Sequence, residues 1–168
     1  MEDIVKGKII WKFGDHFNSD LIVGSKYIQE RDPEVLRKAC LADFDPEFSQ
    51  KVTPGDVMIA GRNFGYGHPH GQGLTALRQV GISALIAESF YPVWYRMAIS
   101  SAFPVLTCPD IAKKADVGDE LEANFNTGDV KNVTTGETIK AEPLSPFLRE
   151  IMDMGGMAAY IREKISTG

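Results

Sequence analysis

Residues 8–13 alternate lysine with apolar side chains, Lys8, Ile9, Ile10, Trp11, Lys12 and Phe13, which predicts a strand with one face in a core. An irregular loop over residues 14–24 follows, carrying His16, Asn18, Ser19 and Asp20 before the chain returns to apolar Leu21, Ile22 and Val23. Asp32, Pro33 and Glu34 start a helix, with an N-cap aspartate, proline in the first turn and acidic character at the positive helix end, and the helix is expected to run to about Asp43. Asp45-Pro46-Glu47 repeats the signal for a shorter helical turn. After the Pro54-Gly55 turn, residues 56–60 read as a strand. From Gln72 the spacing of Leu74, Leu77 and Val80 gives a helix face closed by Gly81, and residues 82–87 form a continuous apolar strand covered on both sides. Ser89 is a candidate cap for a helix with Pro92 in its first turn that passes through Trp94, Tyr95 and Ile99, and residues 104–106 make another short strand. This alternation predicts a parallel α/β layer with right-handed crossovers.

Beyond Pro109 the texture changes. Residues 120–125, 130–133 and 138–141 read as short strands, joined at Asn126-Thr127-Gly128-Asp129 and Thr135-Gly136, both turn signals. A last helix begins at Ser145-Pro146, and Gly155-Gly156 interrupts it before residues 157–165. With 168 residues and no linker or repeat, one domain over residues 1–168 is expected.

Composition narrows the function. A formal charge of −5 leaves no basic stripe to neutralise phosphates, which argues against nucleic acid. No apolar run approaches a bilayer span, and Met1-Glu2-Asp3 does not open a signal peptide, so no membrane partner and a cytoplasmic location are expected. Cys40, in the predicted helix, and Cys108, at a strand end, have no zinc spacing and read as buried thiols. Two cysteines cannot supply the thiolates of an iron–sulfur cluster, so this chain is expected to bind no such cofactor by itself.

The chemistry concentrates between Asn63 and Leu77, where two of the three histidines, His68 and His70, lie in a glycine-studded turn between a strand and a helix. Backbone N–H groups and imidazoles can converge there on an anion. The run Asn63-Phe64-Gly65-Tyr66-Gly67-His68-Pro69-His70-Gly71-Gln72 resembles the Asn-Phe-Gly-Cys-Gly-Ser-Ser-Arg-Glu-His signature of the small, swivelling subunit of 3-isopropylmalate dehydratase and homoaconitase-type hydro-lyases of the aconitase superfamily. Other fragments follow in family order: Gly14-Asp15, Asn18-Ser19-Asp20-Leu21-Ile22, Lys26-Tyr27-Ile28, Gly55-Asp56-Val57, Ser89-Phe90 with Tyr95-Arg96, and Pro104-Val105-Leu106.

The resemblance implies an α/β fold, a swivelling β/β/α domain with a parallel α/β layer and additional short strands. It also implies a larger partner subunit carrying a [4Fe-4S] cluster, over which this domain closes, and a small hydroxy-carboxylic acid as substrate, with activity only in the presence of that partner. Laid on the family frame, His68 stands on the serine assigned as general base, Pro69 on the second serine, and His70 on the substrate-binding arginine. Asp20 stands on the family's loop aspartate. The resemblance thus gives His68, His70 and Asp20 as catalytic candidates, and Asn63, Gly65, Tyr66, Gly67, Tyr27, Ile28 and His16 as substrate-binding candidates.

On chemical grounds the substitutions are linked. A serine base needs N–H groups and a cation to stabilise its alkoxide, whereas a neutral imidazole takes a proton directly, so Pro69 and the loss of arginine are tolerable when His68 is the base. Two alternatives stay open. Without the arginine fork, bidentate binding of a carboxylate is lost, and the chain then binds a less charged substrate or is a silent homolog; or His68 and His70, with His16 or Asp20, hold a metal ion.

Overall fold

The structure is a computed structural model that describes residues 1–166. Strand β1 (Ile4–Phe13) lies at the centre of a seven-stranded sheet. On one side of it β2 (Val57–Ala60), β3 (Ala84–Ala87) and β4 (Val105–Thr107) run parallel, the layer expected from the alternating strands and helices. On the other side β5 (Glu120–Asn124), β6 (Asp129–Asn132) and β7 (Thr138–Lys140) form an antiparallel meander. A bridge between Thr107 and Glu142, whose N–H donates to the Thr107 carbonyl at 2.8 Å, brings the two far ends together, so the sheet is curled.

Curling gives two cores. Val5, Ile9, Ile59, Ile86, Leu121 and Val130 fill the inside of the curl, and the outer face of the parallel layer packs under the helices. These are α1 (Pro33–Ala39), α2 (Phe48–Lys51), α3 (Gly71–Val80), α4 (Pro92–Ser100), α6 (Pro146–Asp153) and α7 (Met157–Ser166), with the short α5 (Ile111–Lys114) beside the inner core. Trp94, Phe48, Phe64 and Phe103 are fully buried in the outer core, at about 1.5–3 kcal/mol of apolar burial each.

The sequence reads β1 as a strand with a single buried face, and the structure corrects this. Ile9 pairs with Val57 while Trp11 pairs with Met58, so Ile10 is an extra residue, a β-bulge. Before it Ile9 points into the curl, and after it Trp11 and Phe13 point outward under the helices. Lys12 is thereby turned inward, where its ammonium donates to the Ala115 carbonyl at 3.1 Å and pairs with Asp116 at 3.5 Å.

Three local expectations also change. Helix α1 ends at Ala39, because Cys40 leaves helical geometry and Leu41 adopts φ 51° to donate its N–H to the Ile22 carbonyl at 2.8 Å, which sinks both side chains into the core. Ser89 does not cap α4, whose N-cap is Tyr91. Helix α5 carried no signal in four residues, Ile-Ala-Lys-Lys. Cys40 and Cys108 are fully buried in different cores, and burial pushes each thiol up to about 12. Among the described residues no helix is long and apolar enough to cross a membrane.

Candidate active site

The carboxyl ends of the four parallel strands release loops at residues 14–18, 61–70, 88–91 and 108–110, the place where an open α/β layer presents a crevice. Three of these loops are sewn together by backbone bonds. The Phe64 N–H donates to the Ser89 carbonyl (3.0 Å), Tyr91 to Phe64 (2.8 Å), Gly65 to Phe17 (3.0 Å) and Ser19 to Tyr66 (2.9 Å). Phe64 anchors the histidine loop, stacked on Phe17 at 5.6 Å and meeting the Trp94 ring edge-on at 4.9 Å. On either side of Tyr66 the backbone must come close to its neighbours. A Cβ on Gly65 would stand 2.4 Å from Trp94 Cγ, and one on Gly67 2.3 Å from Asn18 Oδ1, at φ of 90° and 106°.

Asn18 caps a single 3-10 turn, Ser19–Leu21, by accepting the Asp20 N–H at 2.8 Å, and this aims the Asp20 side chain at the histidine loop. Asp20 Oδ2 accepts the His68 N–H at 3.3 Å and lies 3.9 Å from His68 Nδ1. Its other oxygen, Oδ1, lies 3.9 Å from His70 Nε2. The carboxylate is thus bracketed by the two imidazoles. They differ in surroundings, with the His68 side chain 99% exposed and that of His70 only 16%. Asp20 Oδ1 and His70 Nδ1 are buried without a hydrogen-bond partner. Native interiors rarely leave such atoms unsatisfied, so a polar group or an ordered water is expected against them.

The remaining candidates divide. Asn63, with φ 53°, donates from Nδ2 to His16 Nδ1 at 3.1 Å, and His16 is itself left-handed at φ 55°. His16 therefore pairs with Asn63 while Asp20 faces His68 and His70. Tyr66 is half exposed and meets Tyr91 edge-on at 6.2 Å. Tyr27 packs against the outer core with the Lys26 ammonium 5.1 Å above its ring. Ile28 is exposed, and its carbonyl accepts from Gln72 Nε2 at 2.7 Å, which ties this segment to the start of α3.

Sequence reasoning missed three residues that shape the site. Arg62 donates its N–H to Asp15 Oδ1 (2.8 Å) and its Nε and Nη2 to Oδ2 (3.2 and 2.8 Å), clamping the first loop to the histidine loop. The Asp15 carboxyl is held below its ordinary range by the Arg62 backbone N–H and guanidinium. Ser89 Oγ accepts the Asn63 N–H at 2.8 Å, and Gln72 makes the bond just described. Asp15, Ser89 and Gln72 stood in fragments that resemble the family, but the bonds of Ser89 and Gln72 act across 26 and 44 residues of chain, which no local pattern reports. Asp15, Arg62, Glu88, Ser89, Asp110 and Lys113 line a cleft of about 500 Å³ next to the loop, on which the His68 side chain stands fully exposed while that of His70 is largely covered.

Over 166 residues, 99% of this chain and 98% of the relative, the chain is 40% identical to the isopropylmalate/citramalate isomerase small subunit of Methanocaldococcus jannaschii. The chain belongs to the 3-isopropylmalate dehydratase small-subunit family. It is also 37% identical to the 3-isopropylmalate dehydratase small subunit of Ruminiclostridium cellulolyticum over 161 residues, 96% of this chain and 98% of that one. A crystal structure of 3-isopropylmalate dehydratase from M. jannaschii matches with a TM-score of 0.89 at 33% identity, covering 98% of this chain and 96% of that chain. No family model matches. The curled α/β architecture is the small-subunit fold that the sequence fragments implied.

For a metal ion, His68 and His70 would need a third ligand. Among the described residues no three His, Cys, Asp or Glu side chains converge as such a set. Nor do the residues fit an iron–sulfur cluster, since the two thiols lie on opposite faces of the sheet and burial keeps them protonated.

Proposed function

We propose that this chain is the small subunit of a two-subunit hydro-lyase, a single swivelling domain that supplies His68 as proton-abstracting base for the dehydration and rehydration of a hydroxylated dicarboxylic acid. The observation that carries this reading is the Asp20 carboxylate set between His68 and His70 on a lip that three loops hold rigid. Relatives at 36–40% identity named as small subunits support a larger partner. In the two-subunit reading that partner holds the [4Fe-4S] cluster, which supplies a Lewis-acid hold on the departing hydroxyl.

The work of this chain is proton transfer and orientation. A carboxylate facing His68 Nδ1 favours the tautomer with the proton on Nδ1 and leaves the Nε2 lone pair pointing outward. That nitrogen takes the proton from the carbon next to a substrate carboxylate. The C–H electron pair becomes the second bond of the alkene, and the hydroxyl on the neighbouring carbon leaves with the C–O electron pair. In the reverse direction the imidazolium returns the proton. His70, at the start of α3, places its Nε2 3.9 Å from the other Asp20 oxygen, on the buried side of the carboxylate.

The test is anaerobic co-expression with a cluster-bearing large subunit and measurement of unsaturated acid by its ultraviolet absorbance. Turnover by the complex and none by the isolated chain is expected. Turnover by the chain alone, or none by a cluster-loaded complex on isopropylmalate and citramalate, would overturn the reading.

A further inference from the structure

The Tyr95-Arg96 fragment and the Gly155-Gly156 pair stand out in the sequence, and the histidine site uses neither. In the structure they shape one feature. Gly156, at φ 108°, lies so close to the Ser100 carbonyl that no Cβ fits there, which pins the turn between α6 and α7 against the end of α4. The three helices leave a slot of about 200 Å³ between them, walled by Tyr95 and Ile99 of α4, Phe147, Leu148 and Ile151 of α6, and Met157 of α7. No lining residue belongs to the loops that carry Asp20, His68 and His70.

Two polar side chains complete the lining, Arg96 and Ser100, one turn apart on α4. Arg96 is exposed, and among the described residues its guanidinium makes no hydrogen bond, ion pair or ring contact. The carboxylates of α6 are already taken, Glu150 by Lys164 at 2.9 Å and Asp153 by Arg149 at 2.9 Å. Phe147 stays 54% exposed although its ring meets Tyr160 edge-on at 5.8 Å, so one wall of the slot faces water.

An apolar slot with one uncommitted cation selects a ligand that has an apolar end and an anionic end. The guanidinium fork matches a carboxylate through two parallel hydrogen bonds. At ~30 Å³ for each water-sized group, the slot holds a tail of about six carbons. We propose that the slot between α4, α6 and α7 is a binding site for a short-chain aliphatic monocarboxylate, its tail against Ile99, Leu148 and Ile151 and its carboxylate on Arg96. This goes beyond the hydro-lyase reading and does not depend on it.

The test is titration of the full chain with butanoate, hexanoate, octanoate and hexanol, followed by backbone and methyl NMR shifts. Hexanoate should give saturable shifts confined to residues 95–100, 147–151 and 157. Affinity should rise about fourfold with each methylene added to butanoate and level off beyond hexanoate, where the slot is full. Arg96→Gln should weaken hexanoate by roughly 10-fold and leave hexanol unchanged, the loss of a charge-assisted pair. Arg96→Lys, which keeps the charge without the fork, should fall between. Phe147→Ala removes the outer wall and should weaken hexanoate and hexanol alike. Both side chains are exposed, so these variants should keep the parent Tm. Equal affinity for hexanoate and hexanol, or an unchanged hexanoate affinity in Arg96→Gln, overturns the proposal, as do shifts centred on residues 61–70. Shifts of the free chain that grow with its own concentration would assign the slot to a second copy and overturn it as well.

Discussion

Gly67 lies against the Asn18 carboxamide so closely that a Cβ on it would stand 2.3 Å from Asn18 Oδ1, the same oxygen that accepts the Asp20 N–H at 2.8 Å. Backbone approach at one loop and the aim of a carboxylate on another are therefore the same contact.

Gly67→Ala should consequently harm the reaction more than the fold. The left-handed φ of 106° and the displaced Asn18 cost about 1–3 kcal/mol of stability, read as a lowered Tm. In the reconstituted enzyme kcat should fall further than that loss of folded protein explains, because Asp20 is no longer aimed at His68. Gly73→Ala is the control. Its Cβ would meet Ile22 at an ordinary 3.6 Å inside α3, and replacing a helical glycine with alanine stabilises by about 0.5–1 kcal/mol.

For His68 the proposed role as base predicts that His68→Ala lowers kcat by about 10²–10⁴ with a modest change in KM and removes a limb of the pH–rate profile. His68→Ser should not restore activity, since Pro69 has no N–H to stabilise an alkoxide. The triple change His68→Ser, Pro69→Ser, His70→Arg should recover part of it. Stoichiometric zinc in the isolated chain, lost in both His68→Ala and His70→Ala, would sink the assignment.

Much of this architecture is written locally. Hydrophobic periodicity marks α3 and the buried β3, and Ser145 caps α6 as its Ser-Pro start predicts, accepting the Leu148 N–H. What is not legible depends on contacts distant in sequence. The bulge at Ile10 exists because β1 serves two cores, which only the curl of the sheet reveals. The break at Leu41 is set by the Ile22 carbonyl. At the site, the run from Asn63 to His70 was legible as a glycine-studded loop, and the structure sets Asp20, named from the resemblance, beside its two histidines. The pairing of His16 with Asn63 and the Arg62–Asp15 clamp needed the folded loops, because 47 residues separate the partners in each.

The clamp gives a prediction of its own. Both partners are exposed to solvent, so Arg62→Ala should leave Tm nearly unchanged, as expected for a surface pair. It should lower kcat in the reconstituted enzyme, because the loop carrying Asp20 then moves relative to the loop carrying His68. Since the Asp15 carboxyl is depressed in the folded protein, whatever stability the pair contributes is present above the ordinary carboxylate range and is lost as pH falls through the folded value. Equal Tm and equal kcat in Arg62→Ala would show that the clamp is ornamental.

The two cysteines predict behaviour at the opposite end of the pH scale. Burial pushes both thiols from 9.0 up to about 12, so the folded protein keeps its thiol protons where an unfolded chain has released them. The unfolded state then binds fewer protons, and stability falls as pH rises. The contribution is whole below about pH 9 and erodes between the unfolded value and about 12. Denaturant midpoints should therefore drop on going from pH 8 to pH 10.5, and less so in Cys40→Ala than in the parent when each is compared with its own value at pH 8. Alkylation reports the same physics directly. Iodoacetamide at pH 8 should leave both cysteines of the native chain unlabelled and modify both in denaturant, since the reactive thiolate is suppressed and access is closed. Rapid labelling of native Cys40 would show that its pocket opens.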